Sequence, residues 1–379
     1  MNGKNFVLIG CAVLLTFTTF YAPQPLLPML AQQFQVSESA IALLISVTMA
    51  PLSIAPIAYG FLLTSIPAKS MLIVAASGLA LSSLVLASGP HYELFLTVRL
   101  IQGLILPAMM TGLMTYVAAT ARPEQLTGAM STYVAMTIAG GFLGRAFAGH
   151  VAQWLSWPTM FVILSVALGL SALSLCWLKG DAQTRFGRVS LKILPGLLRR
   201  PGLLRAYLTI FCAFFVFASL LNYLPFRVSE LAGTTGPGRI SLMYTGYMMG
   251  IVVALLTGRM VKLMASERRV LLAGLVTYLI ATLCFLTPSI PVLFVSMFIF
   301  CAGMFTVHSV LPGLINQLAP DYRGVINGVY LSAYYLGGTL GTFLPGLLLG
   351  FGGWSMFIAG LTMVVLIAII IVYSSEDRA

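Results

Sequence analysis

The sequence predicts an all-α membrane protein with twelve transmembrane helices in two six-helix bundles. Three observations support this fold class. Hydrophobic residues make up 59% of the chain and charged residues only 8%, against roughly 25% charged residues in soluble domains. Apolar segments long enough to cross a bilayer recur along the chain. Glycines and a tryptophan of the first half also return in the second half at a constant offset.

The apolar segments divide the chain into two halves joined by a basic stretch. We predict an N-terminal bundle at 1–178, a cytoplasmic linker at 179–202 and a C-terminal bundle with a short tail at 203–379. The twelve predicted spans are 6–30, 39–63, 70–88, 93–118, 126–149, 154–178, 203–228, 240–263, 269–287, 291–317, 324–349 and 354–373.

The fifth segment contains the clearest part of the internal repeat. Its Gly140 and Gly144 return 197 positions later as Gly337 and Gly341 in the eleventh segment. Small residues spaced by four allow a second helix to approach the backbone closely. We therefore predict these four glycines as helix-packing positions.

The first segment carries a polar and aromatic stripe near its outer end. Tyr21 and Gln24 lie on one helical face, and Pro25 and Pro28 are expected to break the helix there. A proline motif that starts at Asn222 repeats the pattern in the second half. Tyr21, Gln24 and Asn222 are candidate substrate-binding residues; the alternative is helix packing, with Gln24 bonded to a neighbouring backbone.

Two arginines lie deep inside predicted spans, away from the span ends. Arg99 in the fourth segment precedes Gln102 by one turn, and Arg145 in the fifth is matched by Thr342 in the repeat. Burying an arginine at a helix centre costs roughly 2.5 to 3.5 kcal/mol on insertion scales. One interpretation is that backbone carbonyls, Gln102 or a tyrosine satisfy both charges. The other is that Arg99, Gln102 and Arg145 face a cavity and attract an anionic group.

The second half supplies further candidates on the tenth and eleventh segments. His308 lies in the middle of its segment, and Tyr330 and Tyr334 share one face of the next. A histidine in a membrane helix either satisfies a local hydrogen bond or takes part in transport. The tyrosines, together with Tyr21 and Tyr244, could instead line an aromatic cavity suited to cations.

The basic residues indicate the orientation. The net charge is +11, and 16 of the 20 Lys and Arg lie in or next to the predicted cytoplasmic loops and tails; Arg227 and Arg239 lie on the outer side, and Arg99 and Arg145 lie deep within helices. This asymmetry places both termini in the cytoplasm and points to lipid rather than nucleic acid. The stretch 179–202 is either an amphipathic helix on the inner leaflet or a basic linker.

The sequence lacks the motifs that nucleotide hydrolysis, metal binding and enzymatic catalysis require. The chain has no phosphate-binding loop, no C-x-x-C pair and five cysteines scattered through apolar segments, so we expect no metal and no cofactor. The nine acidic residues lie at segment ends, loops or tails; Glu93 is the nearest to a span interior. We therefore predict that the chain is not an enzyme, and no carboxylate is placed as a buried proton site.

Arg99-x-x-Gln102-Gly103, the glycine-rich fifth segment, Trp157 at the start of the sixth and the two-copy architecture together resemble the major facilitator superfamily. The closest likeness is to its twelve-helix drug:proton antiporter branch, and Gly-Gly-x-x-Gly-Arg is similar to a group of bacterial efflux-type permeases. Two departures stand out: Thr64 occupies the aspartate position of the loop that follows the second helix, and Arg145 stands where the fifth-helix motif has proline.

The resemblance implies the major facilitator fold and a secondary transporter that works by alternating access. The expected activity is proton-coupled efflux of a small organic compound. The compound would carry an anionic group if the arginines face the cavity. We expect a monomer in the bacterial inner membrane. Matched broken helices in two repeats favour the same mechanism. Alternatives are an uptake permease for an organic anion, or, from another class, a channel or a membrane-embedded enzyme.

Overall fold

The computed structural model describes residues 3–55, 66–120, 126–178, 194–233 and 236–374, and these fold into helices with no β-strand among them. The described residues form two compact units. Unit 1 takes those within Met1–Ser37, Leu43–Gly187 and Thr235–Leu242; unit 2 takes those within Glu38–Ala42, Arg188–Thr234 and Met243–Ala379. The predicted domain boundaries stay predictions, and most of the predicted linker lies outside the described residues.

Seven helices belong wholly or mainly to unit 1. They are α1 Gly3–Tyr21, α2 Leu27–Phe34, α3 Glu38–Met49, α4 Ala68–Ala87, α5 Tyr92–Thr120, α6 Leu126–Trp154 and α7 Trp157–Leu175. The first five residues of α3 group with unit 2.

Seven further helices complete the described chain. They are α8 Leu194–Leu198, α9 Pro201–Ala232, α10 Pro237–Leu242, α11 Met249–Met264, α12 Glu267–Cys284, α13 Ile290–Leu318 and α14 Arg323–Tyr373. The short helix α10 groups with unit 1, where the Gly238 amide donates a hydrogen bond of 2.9 Å to the Gln153 side chain of α6. The other six belong to unit 2.

Among the described residues, eight helical stretches are long and apolar enough to cross a membrane. They are Asn5–Phe34, Ala68–Ala87, Tyr92–Thr120, Trp157–Leu175, Pro201–Ala232, Pro237–Met264, Ile290–Leu318 and Val325–Tyr373. The last stretch contains a break, since Gly352 and Gly353 have non-helical backbone angles and Gly353 has a φ of 66°. Glu38–Ser53 is apolar but shorter. The all-α membrane fold is confirmed, whereas the count of twelve spans stays a prediction.

Prolines interrupt α1 but not α9. The α1 helix ends at Tyr21 and is followed by a turn of 3-10 helix at Gln24–Leu26 before α2 begins. Pro23, Pro25 and Pro28 follow one another at this point, and each removes a backbone donor.

The corresponding break predicted in the second half is absent, because α9 continues through Pro225. A single proline removes one donor, and the Leu221 carbonyl that it frees accepts a hydrogen bond of 2.8 Å from the Tyr244 hydroxyl. One replaced bond is enough to keep this helix intact.

Glycines bring the same pair of helices together in each unit. A Cβ built on Gly144 of α6 would lie 2.5 Å from the Thr18 Cα of α1, and one on Gly140 would lie 3.1 Å from the Leu14 Cα. In unit 2, a Cβ built on Gly341 of α14 would lie 2.8 Å from the Phe215 Cα of α9. At Gly144 and Gly341 these distances leave no room for a side chain unless the facing backbone moves.

A basic residue next to the start of one helix binds the end of another in both units. The Lys69 ammonium donates to the Cys176 and Leu178 carbonyls that follow α7, at 2.7 and 2.9 Å. The Arg268 guanidinium donates to the Val372 and Tyr373 carbonyls at the end of α14. A cation at a helix C-terminus satisfies free carbonyls and opposes the helix dipole.

Candidate functional site

Arg99 lies at the interrupted end of α1. Its guanidinium is fully buried and donates to the carbonyls of Thr19 at 3.0 Å, Phe20 at 2.9 Å and Leu44 at 3.2 Å. In a continuous helix the Thr19 carbonyl would accept from residue 23, which is proline and has no N–H. Arg99 therefore supplies a donor that α1 lacks.

Gln102 completes this network from the next turn of α5. Its side-chain oxygen accepts from Arg99 at 2.7 Å, and its amide nitrogen donates to the Ser82 and Ser83 hydroxyls at 3.1 and 3.3 Å. All side-chain contacts of Arg99 are thus with neutral acceptors. Arg99 binds the end of the broken helix through backbone carbonyls, as the first interpretation expects, and its assignment to substrate binding stays a prediction.

Arg145 reaches the same interrupted segment from α6. Its Nε donates to the Gln24 side-chain oxygen at 2.7 Å, and one terminal nitrogen donates to the Gly141 carbonyl at 2.7 Å. The guanidinium carbon lies 4.0 Å from the centroid of the Tyr21 ring. Tyr21, Gln24 and Arg145 therefore form one cluster, and their assignment to substrate binding stays a prediction.

The segment between Thr19 and Gln24 lies between two arginines. Arg99 binds it through the carbonyls of Thr19 and Phe20, and Arg145 through the side chains of Gln24 and Tyr21. The two guanidinium groups differ in their partners. Arg99 is engaged by the main chain of α1, whereas Arg145 is engaged mainly by side chains, which can change rotamer without moving the helix.

Asn222 lies on α9, apart from the other candidates of unit 2. It is fully buried, and its amide donates to the Thr342 carbonyl of α14 at 3.2 Å. One residue later, the Tyr223 hydroxyl donates to the Phe343 carbonyl at 3.4 Å. These bonds join α9 to α14.

His308, Tyr330 and Tyr334 lie together in unit 2. The His308 Nδ1 is 2.8 Å from the Tyr330 hydroxyl, and the imidazole lies 5.0 Å from the Tyr334 ring, centroid to centroid. Tyr334 in turn stacks on Phe214 of α9 at 3.5 Å. This cluster joins α9, α13 and α14 through aromatic contacts and one polar bond.

The two halves of the repeat use different donors at matched positions. The offset of 197 places Ser296 opposite Arg99 and Thr342 opposite Arg145. All four are buried. Both buried guanidinium groups therefore belong to unit 1, while unit 2 has a histidine among tyrosines.

The Glu38 carboxyl at the start of α3 interacts electrostatically with Glu230 of α9. The Arg227 guanidinium of α9 pairs with Glu230 at 2.7 Å. Burial raises the pKa of the Glu38 carboxyl above its usual range, and the negative charge of Glu230 raises it further. Glu38 precedes the second predicted span, so this carboxyl belongs to the edge of the membrane region.

The sequence pattern did not single out several residues that complete these networks. Ser82 and Ser83 bind Gln102, and Phe214 stacks on Tyr334. The sequence did indicate that donors such as Tyr244 and Arg99 are needed. Each proline in or next to a helix frees the carbonyl four residues earlier, and that carbonyl requires a hydrogen-bond donor. The identity of the donor depends on the tertiary fold.

Other expectations concern residues beyond these clusters. The loop containing Gly60 and Thr64 lies outside the described residues. Within the described part of the chain, no three His, Cys, Asp or Glu side chains come together in a way that could bind a metal ion, and the five cysteines are free thiols.

The model of the Major Facilitator Superfamily matches residues 9–261 and 228–379. Among curated proteins, the inner membrane transport protein YnfM of Escherichia coli K12 is 25% identical over 368 residues, covering 95% of this chain and 87% of YnfM. An uncharacterized MFS-type transporter, YybF of Bacillus subtilis, is 25% identical over 363 residues, covering 93% and 89%.

Solved structures show the same fold. A bacterial homologue of the human lysosomal transporter Spinster, in an inward-facing and unoccupied conformation, has a TM-score of 0.81 at 14% identity and covers 98% of this chain and 95% of its own. The nucleoside transporter NupG has a TM-score of 0.82 at 10% identity, covering 98% and 100%. Similarity at this level of identity concerns the fold alone.

Proposed function

Because the chain belongs to the Major Facilitator Superfamily, we propose that it exports a small organic anion in exchange for protons, by alternating access. The coarser part of this statement follows from the family: the chain is a multi-pass membrane protein that transports small molecules, and it is not an enzyme. Export, proton coupling and an anionic substrate are the proposal.

The observation that carries the anionic substrate is the environment of Arg145. The described contacts of its guanidinium are with the Gln24 amide oxygen, the Gly141 carbonyl and the Tyr21 ring, all of which are neutral. The sequence places no Asp or Glu deep in any predicted span. An arginine also keeps its charge when it is buried. The cluster therefore carries a positive charge.

A positive charge in a poorly solvated site favours an anion. At an effective dielectric constant of about 20, two unit charges 4 Å apart attract each other by roughly 4 kcal/mol. Arg145 is the better anion contact of the two arginines in this proposal, because its described partners include only one main-chain carbonyl, whereas Arg99 donates to three main-chain carbonyls and to Gln102. In this proposal Tyr21 and Gln24 orient Arg145, and Arg99 with Gln102 maintains the interrupted helix around them.

Other details of the proposal follow from the motif resemblance and the charge distribution. Arg99-x-x-Gln102-Gly103 resembles the drug:proton antiporter branch, which supports efflux driven by protons. The basic loops support a location in the bacterial inner membrane with both termini in the cytoplasm. We propose a monomer with twelve spans and two six-helix bundles, at 1–178 and 203–379.

Transport into inverted membrane vesicles tests the charge of the substrate. Vesicles with and without the protein are energised to an acidic interior and given organic anions, 4-methylumbelliferyl glucuronide and p-aminohippurate, or the cations tetraphenylphosphonium and ethidium. We expect protein-dependent accumulation of anions that an uncoupler abolishes. Arg145→Gln should lower it at least tenfold at unchanged protein abundance, and Arg145→Lys should lower it less.

Arg227→Gln is the matched control, because it removes the same charge from the edge of α9 rather than from the cluster. Its accumulation of anions should stay within twofold of the unmodified protein. Accumulation of cations alone, unchanged in Arg145→Gln, would refute the anionic substrate and favour the aromatic cavity for cations. Accumulation of anions only in right-side-out vesicles would identify an uptake permease.

A further inference from the structure

A proton-coupled transporter needs a group that gains and loses a proton in the membrane. Carboxylates usually serve, but the nine acids of this chain lie at the ends of segments, in loops or in tails. Histidine is the side chain whose charge ordinarily changes between pH 5 and 8. The three histidines differ in position: His91 precedes α5 and is largely exposed, His150 is exposed near the end of α6, and His308 lies inside α13.

A proline one helical turn after His308 removes the hydrogen-bond donor to the His308 carbonyl. Pro312 follows four residues later in α13 and has no N–H, so the His308 carbonyl lacks its helical donor. The Tyr330 hydroxyl is 2.8 Å from the His308 Nδ1 and 3.5 Å from the His308 carbonyl oxygen. One hydroxyl group therefore has two acceptors within reach, on the same residue.

We propose that His308 and Tyr330 form the proton-binding site of this transporter, a step that rests on the proton coupling proposed above. In the neutral form, the imidazole carries its hydrogen on Nε2, and the Tyr330 O–H donates to Nδ1. When a proton binds at Nδ1, the new N–H donates to the Tyr330 oxygen, and the hydroxyl hydrogen turns to the His308 carbonyl.

This exchange keeps the His308 Nδ1 and the Tyr330 hydroxyl hydrogen-bonded to each other in both protonation states. One proton is added, the charge rises by one, and the carbonyl freed by Pro312 gains a donor at the moment that Nδ1 ceases to be an acceptor. Release of the proton reverses each change. A phenylalanine at position 330 could neither donate a hydrogen bond to His308 nor accept one from it, so the mechanism requires the Tyr330 hydroxyl.

The surroundings of His308 accommodate a charge without cancelling it. From α14, the Tyr334 and Tyr330 rings lie 5.0 and 5.9 Å from the imidazole, and aromatic faces attract cations. Phe305 of α13 connects the imidazole to Tyr247, a further ionisable side chain. On α12, Tyr278 is bonded to the Ala213 carbonyl. No Asp, Glu, Lys or Arg has a described contact with His308.

Protonation at His308 also has a route to the neighbouring helix. Tyr334 contacts both the imidazole and Phe214, on which it stacks at 3.5 Å. A positive imidazole attracts the electron-rich face of Tyr334, and a shift of this ring changes its packing on α9. The proton site is thus connected by direct contacts to three helices of unit 2.

Nuclear magnetic resonance of the purified protein, labelled with 15N-histidine, tests proton binding without any substrate. The His308 signals are identified by their loss in His308→Gln. We expect the His308 signals to titrate within the pH range over which the protein stays folded, and Tyr330→Phe to shift their midpoint by at least half a pH unit while leaving the His91 signals unchanged. His308 signals that stay constant over this range, or a midpoint unchanged by Tyr330→Phe, would overturn the proposal.

Transport then tests coupling, with 4-methylumbelliferyl glucuronide as the probe in proteoliposomes. His308→Gln should lose at least tenfold of the accumulation driven by a pH gradient while retaining exchange of the probe at equal pH on both sides. The control His91→Gln should retain both. Gradient-driven accumulation that survives in His308→Gln would refute the proton site, and loss of both activities would assign His308 to the probe or to the fold instead.

The two experiments separate this inference from the proposed function. If the unmodified protein moves no anion when a pH gradient is imposed, the proposed function fails, and the titration of His308 still decides whether the pair binds a proton. If both the unmodified protein and His308→Gln move the anion when a pH gradient is imposed, the proposed function stands and the proton site is elsewhere.

Discussion

Replacing Arg99 and Pro23 singly and together tests whether the arginine compensates for the proline. Arg99→Met removes the donor to the Thr19 carbonyl, which Pro23 has left without a helical partner. Pro23→Ala restores an N–H at position 23. The backbone of Pro23 already has helical angles, φ −69° and ψ −17°, and the Ala22 amide already bonds to the Thr18 carbonyl at 2.8 Å. The restored amide therefore points toward Thr19.

The magnitude follows from the number of acceptors affected. Arg99→Met removes a donor from four acceptors, the Thr19, Phe20 and Leu44 carbonyls and the Gln102 oxygen, at about 1 to 3 kcal/mol for each one left without a donor, while relief of charge burial returns roughly 2.5 to 3.5 kcal/mol. These terms oppose each other, so the single variant is a poor test. In the double-mutant cycle the burial term and the contributions of Phe20, Leu44 and Gln102 are common to both backgrounds. The difference that remains is one carbonyl, about 1 to 3 kcal/mol.

Equilibrium unfolding of the purified variants in mixed detergent micelles measures this coupling. We expect Arg99→Met to destabilise the Pro23→Ala protein less than the unmodified protein, by at least about 1 kcal/mol. Pro225→Ala is the control for the second proline, since its freed carbonyl is bound by Tyr244 rather than by Arg99. Additive effects of Arg99→Met and Pro23→Ala, within about 0.5 kcal/mol, would refute the reasoning.

Three further predictions concern stability. Gly144→Ala should lower the free energy of unfolding by about 1 to 3 kcal/mol because its Cβ overlaps α1; Gly169→Ala, which meets no atom within 4 Å, should be neutral or stabilising by up to about 1 kcal/mol. Tyr244→Phe should cost about 1 kcal/mol or more by leaving the Leu221 carbonyl without its donor. The pKa of the Glu38 carboxyl is raised above 4.5 in the folded state. Glu38 therefore contributes to the free energy of unfolding below pH 4.5, and this contribution is lost as the pH rises. The thermal midpoint of the unmodified protein should therefore fall between pH 4.5 and 7 more steeply than that of Glu38→Gln, and equal slopes would contradict the assignment.

Spacing along a helix predicted the contacts within and next to each element. The Arg99-x-x-Gln102 spacing places the two side chains one turn apart, and they are bonded at 2.7 Å. Tyr21 and Gln24, three residues apart, both contact Arg145 of α6. Helix geometry accounts for the spacing within an element, but the partner from α6 does not follow from it.

Contacts between distant segments could not be predicted in this way. Pro225 stands alone in α9, which continues through it while Tyr244 binds the freed Leu221 carbonyl, whereas three prolines follow one another near Gln24. Which side chain binds a carbonyl freed by proline depends on the tertiary fold. The division between the two arginines, one bound to main chain and the other to side chains, likewise required the tertiary structure.

The placement of both buried arginines in one half of the repeat, with a single imidazole in the other, has an electrical consequence. Guanidinium groups keep their charge throughout a cycle, so the only protein charge that changes in the proposed scheme is that of one histidine. A cycle that carries one monovalent anion out and one proton in moves the equivalent of two positive charges inward. An inside-negative membrane potential of 100 mV then contributes roughly 4.6 kcal/mol per cycle, at about 2.3 kcal/mol per charge. Export should accordingly proceed on a potassium diffusion potential alone, with the same pH on both sides of the membrane.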